Sequence, residues 1–133
     1  MTEWEIKRKF ASENLEEFKN IFNLDSISLY ALEFPIVFGK ENYKIDMLLE
    51  EPISKIPMEN QLFVLEFKKD KIFHSALDQL NLYCTAVVKK LYRKKEAVGI
   101  LAAPYFSDWE IQECKRQDRF CLQYDLQGKM RLL

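Results

Sequence analysis

Residues that build disulfide frameworks and metal–thiolate centres are scarce in this sequence. Among its 133 residues there are three cysteines and one histidine, His74. The cysteines are odd in number and none stands in a CxxC spacing, so the pattern indicates neither a disulfide framework nor a zinc site. We therefore expect Cys84, Cys114 and Cys121 to be buried, reduced thiols.

Long apolar runs and a large excess of either charge are also missing. The sequence contains no stretch of roughly eighteen apolar residues that could span a bilayer. The N-terminus is too charged for a secretory signal, so we expect an intracellular, cytoplasmic protein. The formal net charge of −1 argues against a strongly basic, nonspecific nucleic-acid binder, although a local basic surface is compatible with it. The length predicts one domain over residues 1–133, with a core that needs no disulfides.

What is present is an alternation of helical and extended patterns. Thr2 and Glu5 form a T-x-x-E capping box, and apolar residues at helical spacing predict one long or broken helix to about Phe22. The later predicted elements are strands over 28–38 and 43–49, a strand from 61, a helix over 72–91, a strand over 97–103, a helix over 107–116, and a strand over 119–126 that turns into 130–133. Asp70 and Ser75 are both candidate caps for the long helix.

This order predicts an α/β fold. A strand, a long helix and a second strand form a right-handed parallel crossover. The sheet is therefore expected to be mixed, with an antiparallel meander first and a parallel strand after it, and to be flanked by helices.

The strand that begins at Gln61 is the centre of this arrangement. The four residues 62–65 are apolar on both faces, which is typical of a central strand that is covered by helices on each side. Because side chains alternate along a strand, Glu66 and Lys68 are expected on one face, with Phe67 turned away. A carboxylate and an ammonium group would then stand side by side at the end of a core strand.

The strand over 43–49 contains an aspartate in an otherwise apolar stretch, which is unusual. Strict alternation predicts one face with Ile45, Met47 and Leu49, and the other with Lys44, Asp46 and Leu48. If this strand pairs with the Gln61 strand, the register can bring Asp46 and Glu66 to the same face.

Two carboxylates at close range repel each other unless one is protonated or a cation lies between them, and a hard divalent ion such as Mg²⁺ is the natural resident. Such an ion can activate a bound water, while Lys68 orients that water or neutralises charge on a phosphate. The carbonyl of Phe67 is a further candidate ligand. The alternative is structural: Lys68 forms a salt bridge with Asp46 or Glu66 at the sheet margin, with little net stabilisation.

Four short segments together carry a resemblance to a known family. They are Ile45-Asp46, Leu65-Glu66-Phe67-Lys68, Gln79-Leu-Asn-Leu-Tyr83 and Val98-Gly-Ile-Leu-Ala-Ala-Pro104. In this order they resemble the PD-(D/E)XK nuclease superfamily, in particular its RecB-like branch and the catalytic domain of the archaeal NucS/EndoMS endonucleases. The resemblance implies a restriction-endonuclease-like fold and covers roughly residues 13–125.

The resemblance also implies roles for individual residues. Asp46 and Glu66 would bind the metal, Lys68 would assist the attacking water, and Gln79 would position the lysine or nearby backbone. Tyr83 would support the site or contact the nucleic acid. The implied cofactor is Mg²⁺ or Mn²⁺.

The family further uses a glutamate from the first helix. Glu13 is the first candidate here, with Glu16 and Glu17 as alternatives, because the apolar register of this segment departs from the family pattern.

The separate DNA-binding domain of the family has no counterpart in this sequence. Substrate affinity is then left to two basic clusters, to a partner, or to a homodimer that doubles the basic surface. The clusters are Lys68, Lys69 and Lys71, and Lys89, Lys90, Arg93, Lys94 and Lys95. Solvation and favourable placement of cations at a helix C-terminus would equally explain the second cluster.

The sequence thus predicts a magnesium-dependent nuclease that hydrolyses DNA phosphodiester bonds. This prediction rests on Asp46, Glu66, Lys68 and Gln79 together. Endonucleolytic cleavage is expected, and RNA is an alternative substrate. The alternative from another class is a non-catalytic binding or assembly module on a nuclease-like fold.

Two further groups admit both a functional and a structural interpretation. His74 could act as a general base, but the metal mechanism needs no histidine, which favours a loop or helix-start position. The aromatic residues Tyr92, Tyr105 and Phe106 could stack on splayed bases or pack in the core and its rim.

Overall fold

The computed structural model describes residues 2–68, 72–125 and 127–133, and within them six strands form one sheet with helices on both faces. The helices are α1 (Glu3–Glu13), α2 (Leu15–Ile21), α3 (Phe73–Lys90) and α4 (Asp108–Arg116), with a short 3-10 helix at Pro57–Glu59. The strands are β1 (Ser28–Phe38), β2 (Glu41–Glu51), β3 (Gln61–Phe67), β4 (Val98–Ala103), β5 (Phe120–Tyr124) and β6 (Met130–Leu132).

The strands lie in the order β1-β2-β3-β4-β5-β6. The pairs β1–β2 and β2–β3 are antiparallel, the pairs β3–β4 and β4–β5 are parallel, and β5–β6 is antiparallel. The predicted α/β fold with a mixed sheet, antiparallel first and parallel afterwards, is confirmed. Among the helices of the described ranges, none has the length and apolar character needed to cross a membrane.

β3 is the buried centre of the sheet, as its apolar run predicts. Leu62 and Val64 pack in a core cluster with α3, whereas Phe63 and Leu65 pack in a second cluster with α1 and α2. Burying one such side chain contributes about 1.5–3 kcal/mol. This double burial fixes the position of the residues that follow at the end of β3.

Local capping signals set the ends of the helices. Thr2 Oγ1 accepts a hydrogen bond of 3.1 Å from Glu5 N at the start of α1, and α4 begins with a full capping box. The first helix is broken at Asn14, whose side chain bonds the Gly128 carbonyl and the Tyr124 hydroxyl. The prediction that Ser75 caps the long helix is wrong, because α3 already begins at Phe73.

The N-cap of α3 is Ile72, which makes no side-chain capping bond. The other candidate cap, Asp70, lies outside the described residues. The three cysteines are buried and unpaired, as expected from their spacing. Burial raises the pKa of Cys84 to about 11, so this thiol stays protonated at neutral pH.

Gly99 in β4 allows α3 to pack closely on the sheet. A Cβ at this position would lie 2.6 Å from Arg119 Cδ and 2.9 Å from Cys84 Sγ. Arg119 is itself held by a 2.7 Å hydrogen bond to Asn81 Oδ1. We therefore expect Gly99→Ala to lower the free energy of unfolding by roughly 1–3 kcal/mol in urea denaturation, through overpacking.

The matched control is Gly39→Ala in the turn between β1 and β2. A Cβ there meets no atom within 4 Å, although the φ of +64° costs a non-glycine residue about 1 kcal/mol. Equal stability losses at the two positions would show that crowding at Gly99 is relieved by movement of Arg119.

Candidate functional site

Three acidic residues lie at one level of three neighbouring strands. Following the strand registers, Glu33 of β1 and Glu66 of β3 stand on either side of Asp46 of β2. Glu33 has a φ of +50°, which marks a local departure from regular strand geometry. The nearest paired residues are Leu32 with Met47, Phe34 with Ile45, and Leu65 with Met47.

Side-chain carboxylates replace backbone carbonyls at this level. Asp46 N donates to Glu66 Oε1 at 2.9 Å, and Phe67 N donates to Asp46 Oδ2 at 2.9 Å. The side chains of Asp46 and Glu66 are almost fully buried, with residue exposures of 6% and 1%. Each strand thus binds the carboxylate of the other, which holds both acids in fixed positions inside the sheet. We call this pair of hydrogen bonds, from Asp46 N to Glu66 and from Phe67 N to Asp46, the clamp.

The clamp also explains a wrong prediction. Strict alternation put Ile45 on the face of Met47 and Leu49, but Ile45 packs in the α3 cluster while Met47 and Leu49 pack in the α1–α2 cluster. The regular backbone pairing of β2 with its two neighbouring strands is interrupted at Asp46. The alternation of side chains between the two faces of the sheet therefore does not continue through this residue.

Lys7 of α1 is a member of the site that the sequence patterns did not predict. Its ammonium donates to Asp46 Oδ1 at 3.2 Å and lies 3.4 Å from Glu33 Oε1 and 3.7 Å from Glu3 Oε1. Lys7 is only 3% exposed. Burial lowers its pKa, but Asp46 first, then Glu3 and Glu33, outweigh burial and raise the pKa above 10.5.

A weak signal for Lys7 exists in the sequence. The residue stands three positions before Phe10, which is fully buried, so the two lie on one face of α1. A lysine on an apolar helical face indicates a buried partner of opposite charge, but it does not say which one.

Lys68 forms its ion pair with a residue of α4. Its ammonium forms an ion pair with Glu110 Oε2 of α4 at 3.1 Å and lies 5.9 Å from the centre of the Phe73 ring. Its backbone N donates to the Ala102 carbonyl at 2.7 Å and so joins β3 to β4. The structural alternative expected Asp46 or Glu66 as the ion-pair partner of Lys68, whereas the partner in the structure is Glu110.

Glu110 is the acceptor at the start of α4. Burial raises its pKa, but the hydrogen bond from Ser107 N and the contacts with Lys68 outweigh this effect and hold the pKa below 4.5. The side chain thus serves both the capping box and Lys68.

The lowered pKa of Glu110 predicts a pH-dependent contribution to stability. The ionised form is favoured in the folded state, so the stabilisation is present above pH 4.5 and is lost as pH falls below it. We expect Glu110→Gln to cost about 1 kcal/mol of unfolding free energy near neutral pH, and less near pH 3. Urea denaturation of both proteins at the two pH values measures this. A cost that stays constant or grows on acidification would contradict it.

A small pocket opens between these groups at the carboxyl ends of β3 and β4. Glu3, which belongs with Glu33 and Asp46 to the cluster of carboxylates around Lys7 (the Lys7 cluster), lines it. Lys68, which pairs with Glu110, lines it as well. Its other lining residues are Ile6, Phe67, Ala102, Ala103, Pro104, Tyr124 and Asp125. Neither Asp46 nor Glu66 is among the residues that line it.

Tyr83 of α3 is buried within electrostatic range of Glu66 and Asp46. It is 3% exposed, and its ring centre lies 5.9 Å from that of Tyr43. Burial, followed by the charges of Glu66 and Asp46, raises its hydroxyl pKa. Gln79 is half-buried one turn earlier in α3.

The first-helix glutamates lie elsewhere. Glu13 is exposed at the end of α1, six residues and roughly 9 Å beyond Lys7 along the helix axis. Burial raises the pKa of the Tyr124 hydroxyl, and the charges of Glu13 and Glu17 raise it further. Glu16 pairs with Lys19 at 3.0 Å on the surface of α2. The first-helix carboxylate that reaches the Lys7 cluster is Glu3.

The predicted basic residues fall into two groups, of which the structure describes Lys68 and the second cluster. Lys69 and Lys71 lie outside the described residues. The second cluster is at the far end of α3, roughly 27 Å from the end that contacts Lys68. In this cluster Lys89 is exposed, and Lys90 donates a hydrogen bond of 2.7 Å to the Pro35 carbonyl. Arg93 pairs with Glu50 at 2.6 Å. Lys94 pairs with Glu59 at 3.7 Å.

His74 and the candidate stacking residues also have definite positions. His74 is exposed in the first turn of α3, and its ring centre lies 5.2 Å from that of Trp109. Phe106 is buried in the core, whereas Tyr92 and Tyr105 are 78% and 70% exposed. Phe106 is thus a packing residue.

The oxygen atoms at the clamp have the chemistry that Mg²⁺ requires. Asp46, Glu66 and the Phe67 carbonyl form an all-oxygen donor set, and Mg²⁺ commonly binds two carboxylates while keeping several waters. In the described ranges, no group of three or more His, Cys, Asp or Glu side chains is arranged to hold a metal. A divalent ion at Asp46 would therefore depend on two carboxylates, and on movement of Lys7 away from Oδ1.

Comparisons with protein-family models, with curated proteins and with solved structures find no match to this chain. The site's own residues and the sequence motifs are therefore the basis for inferring function.

Proposed function

We propose that the chain is a metal-dependent nuclease of the PD-(D/E)XK type, with a restriction-endonuclease-like fold, and that it hydrolyses DNA phosphodiester bonds. The observation that carries the proposal is the clamp: two buried carboxylates from neighbouring strands, Asp46 and Glu66, each bonded to the other strand's backbone. Buried carboxylates need compensating charges or hydrogen bonds, and a divalent cation is one partner that can supply such compensation. The order of the sequence motifs supports the same conclusion.

Each residue of the site has a role in this proposal. Asp46 and Glu66 hold Mg²⁺ or Mn²⁺, with the Phe67 carbonyl as a further ligand. When bound, the ion supplies an activated water and neutralises phosphate charge. Lys68 exchanges its contact with Glu110 for a phosphate oxygen of the substrate, and Tyr83 packs behind the carboxylates.

A cleavage assay tests the proposal directly. The protein is incubated with single-stranded, duplex, flap and junction DNA, and with single-stranded RNA, in Mg²⁺, in Mn²⁺ or in a chelator. We expect at least one DNA form to be cleaved when metal is present and not in the chelator. The Asp46→Asn variant should lose that cleavage. The proposal is wrong if no DNA form is cleaved, or if Asp46→Asn cleaves as fast as the wild type.

A second candidate function is a non-catalytic binding or assembly module. It is favoured by the two ion pairs of the site, because Lys7 neutralises Asp46 and Lys68 neutralises Glu110 within the protein itself. Calorimetry with Mn²⁺ separates the two candidates. The nuclease binds the ion and loses that binding in Asp46→Asn, whereas the module shows no binding that depends on Asp46.

A further inference from the structure

We propose that Lys7 is a tethered counter-ion of the metal site, which neutralises Asp46 until a divalent cation binds and then moves onto Glu33 and Glu3. This inference rests on the proposed function, because it describes how the same site is regulated. It assigns to Lys7 a role in setting metal affinity.

The contacts of Lys7 define this role. Its ammonium is 3.2 Å from Asp46 Oδ1, while Phe67 N holds the other oxygen of the same carboxylate at 2.9 Å. Oδ1 is thus the Asp46 oxygen that is turned towards the lysine. A divalent ion that binds Oδ1 would stand within a few ångströms of the ammonium, and like charges at that distance repel strongly at low dielectric.

The neighbouring glutamates give the ammonium a place to move. Glu33 and Glu3 are already 3.4 Å and 3.7 Å from Nζ, and their side chains are 42% and 39% exposed. The lysine stem is flexible, so a small rotation exchanges Asp46 for these carboxylates. Lys7 therefore keeps ionic partners in both positions, and it need not become an unpaired buried charge.

This exchange lowers the affinity of the wild type for metal. The cation must displace an ammonium that already neutralises Asp46, so the two compete for one carboxylate. Removing the charge of Lys7 while keeping most of the length of its side chain should relieve the competition.

Calorimetric titration with Mn²⁺ tests this effect. We expect Lys7→Met to bind Mn²⁺ at least about tenfold more tightly than the wild type, and Lys7→Arg, which keeps the charge, to bind no more tightly than the wild type. Lys19→Met removes a lysine from the surface pair with Glu16 and should leave the affinity unchanged. If Lys7→Met is unfolded without metal, circular dichroism during the same titration reports the affinity as metal-induced folding.

The outcomes separate this inference from the function on which it rests. If wild type and Lys7→Met bind Mn²⁺ equally, or if Lys7→Met binds more weakly, the counter-ion role is overturned while the metal site stands. The same holds if Lys7→Arg gains affinity as Lys7→Met does, because packing would then explain the change. If none of the proteins binds the ion, the metal site itself is overturned, and the counter-ion role with it.

Discussion

Glu66→Gln is expected to reduce metal-dependent DNA cleavage by about a thousandfold. The amide oxygen of glutamine can still accept the hydrogen bond from Asp46 N, so the clamp between β2 and β3 keeps its geometry. The substitution removes the negative charge, and a neutral amide is a much poorer ligand for Mg²⁺ than a carboxylate. Cleavage rates under single-turnover conditions, measured over a range of Mg²⁺ concentrations, give the size of the loss.

The matched control for this substitution is Glu50→Gln. Glu50 also lies in the central strands, and its side chain is 15% exposed, but it pairs with Arg93 away from the clamp. Glu50→Gln should cleave at the wild-type rate even if it is less stable. Equal losses of activity in the two variants would mean that general destabilisation, and not a missing ligand, explains the effect of Glu66→Gln.

Lys7→Met is expected to lower the free energy of unfolding by roughly 3 kcal/mol. The substitution leaves the Asp46 carboxylate buried in the sheet, 6% exposed, without the ammonium at 3.2 Å. Removing one partner of a buried pair costs more than the pair contributes, because the remaining charge is not hydrated. Urea denaturation in a chelating buffer measures this cost without any contribution from bound metal.

A double-mutant cycle assigns the loss to Asp46. In an Asp46→Asn background, Lys7→Met should cost about 1 kcal/mol or less, because position 46 then carries no buried charge that loses its partner. Lys19→Met breaks a surface pair in which Glu16 is 74% exposed, and should change stability by less than about 1 kcal/mol. The interpretation fails if Lys7→Met costs the same in both backgrounds.

These two experiments separate catalysis from structure at one site. Glu66→Gln changes a ligand and keeps the hydrogen bonds of the clamp, whereas Lys7→Met changes the charge balance around Asp46. A non-catalytic module would show the second effect without the first.

The amino-acid sequence by itself determined the elements and the centre of the sheet. The N-cap of Thr2 and the capping box of Ser107 act within one helical turn, so their effects follow from neighbouring residues. The apolar run of β3 predicted a strand covered on both faces, because hydrophobic burial depends on pattern more than on particular partners. The antiparallel pairing of two successive strands was sufficient to suggest that Asp46 and Glu66 could meet.

The tertiary structure alone decided the ionic partners. Lys68 pairs with Glu110, and Lys7 pairs with Asp46, across 42 and 39 positions of the chain. No local period relates such residues, and each lysine has several carboxylates of equal intrinsic attraction in the sequence. Packing of α1 and α4 against opposite faces of the sheet selects the carboxylates that each lysine can reach, because a buried ammonium must lie within a few ångströms of its partners.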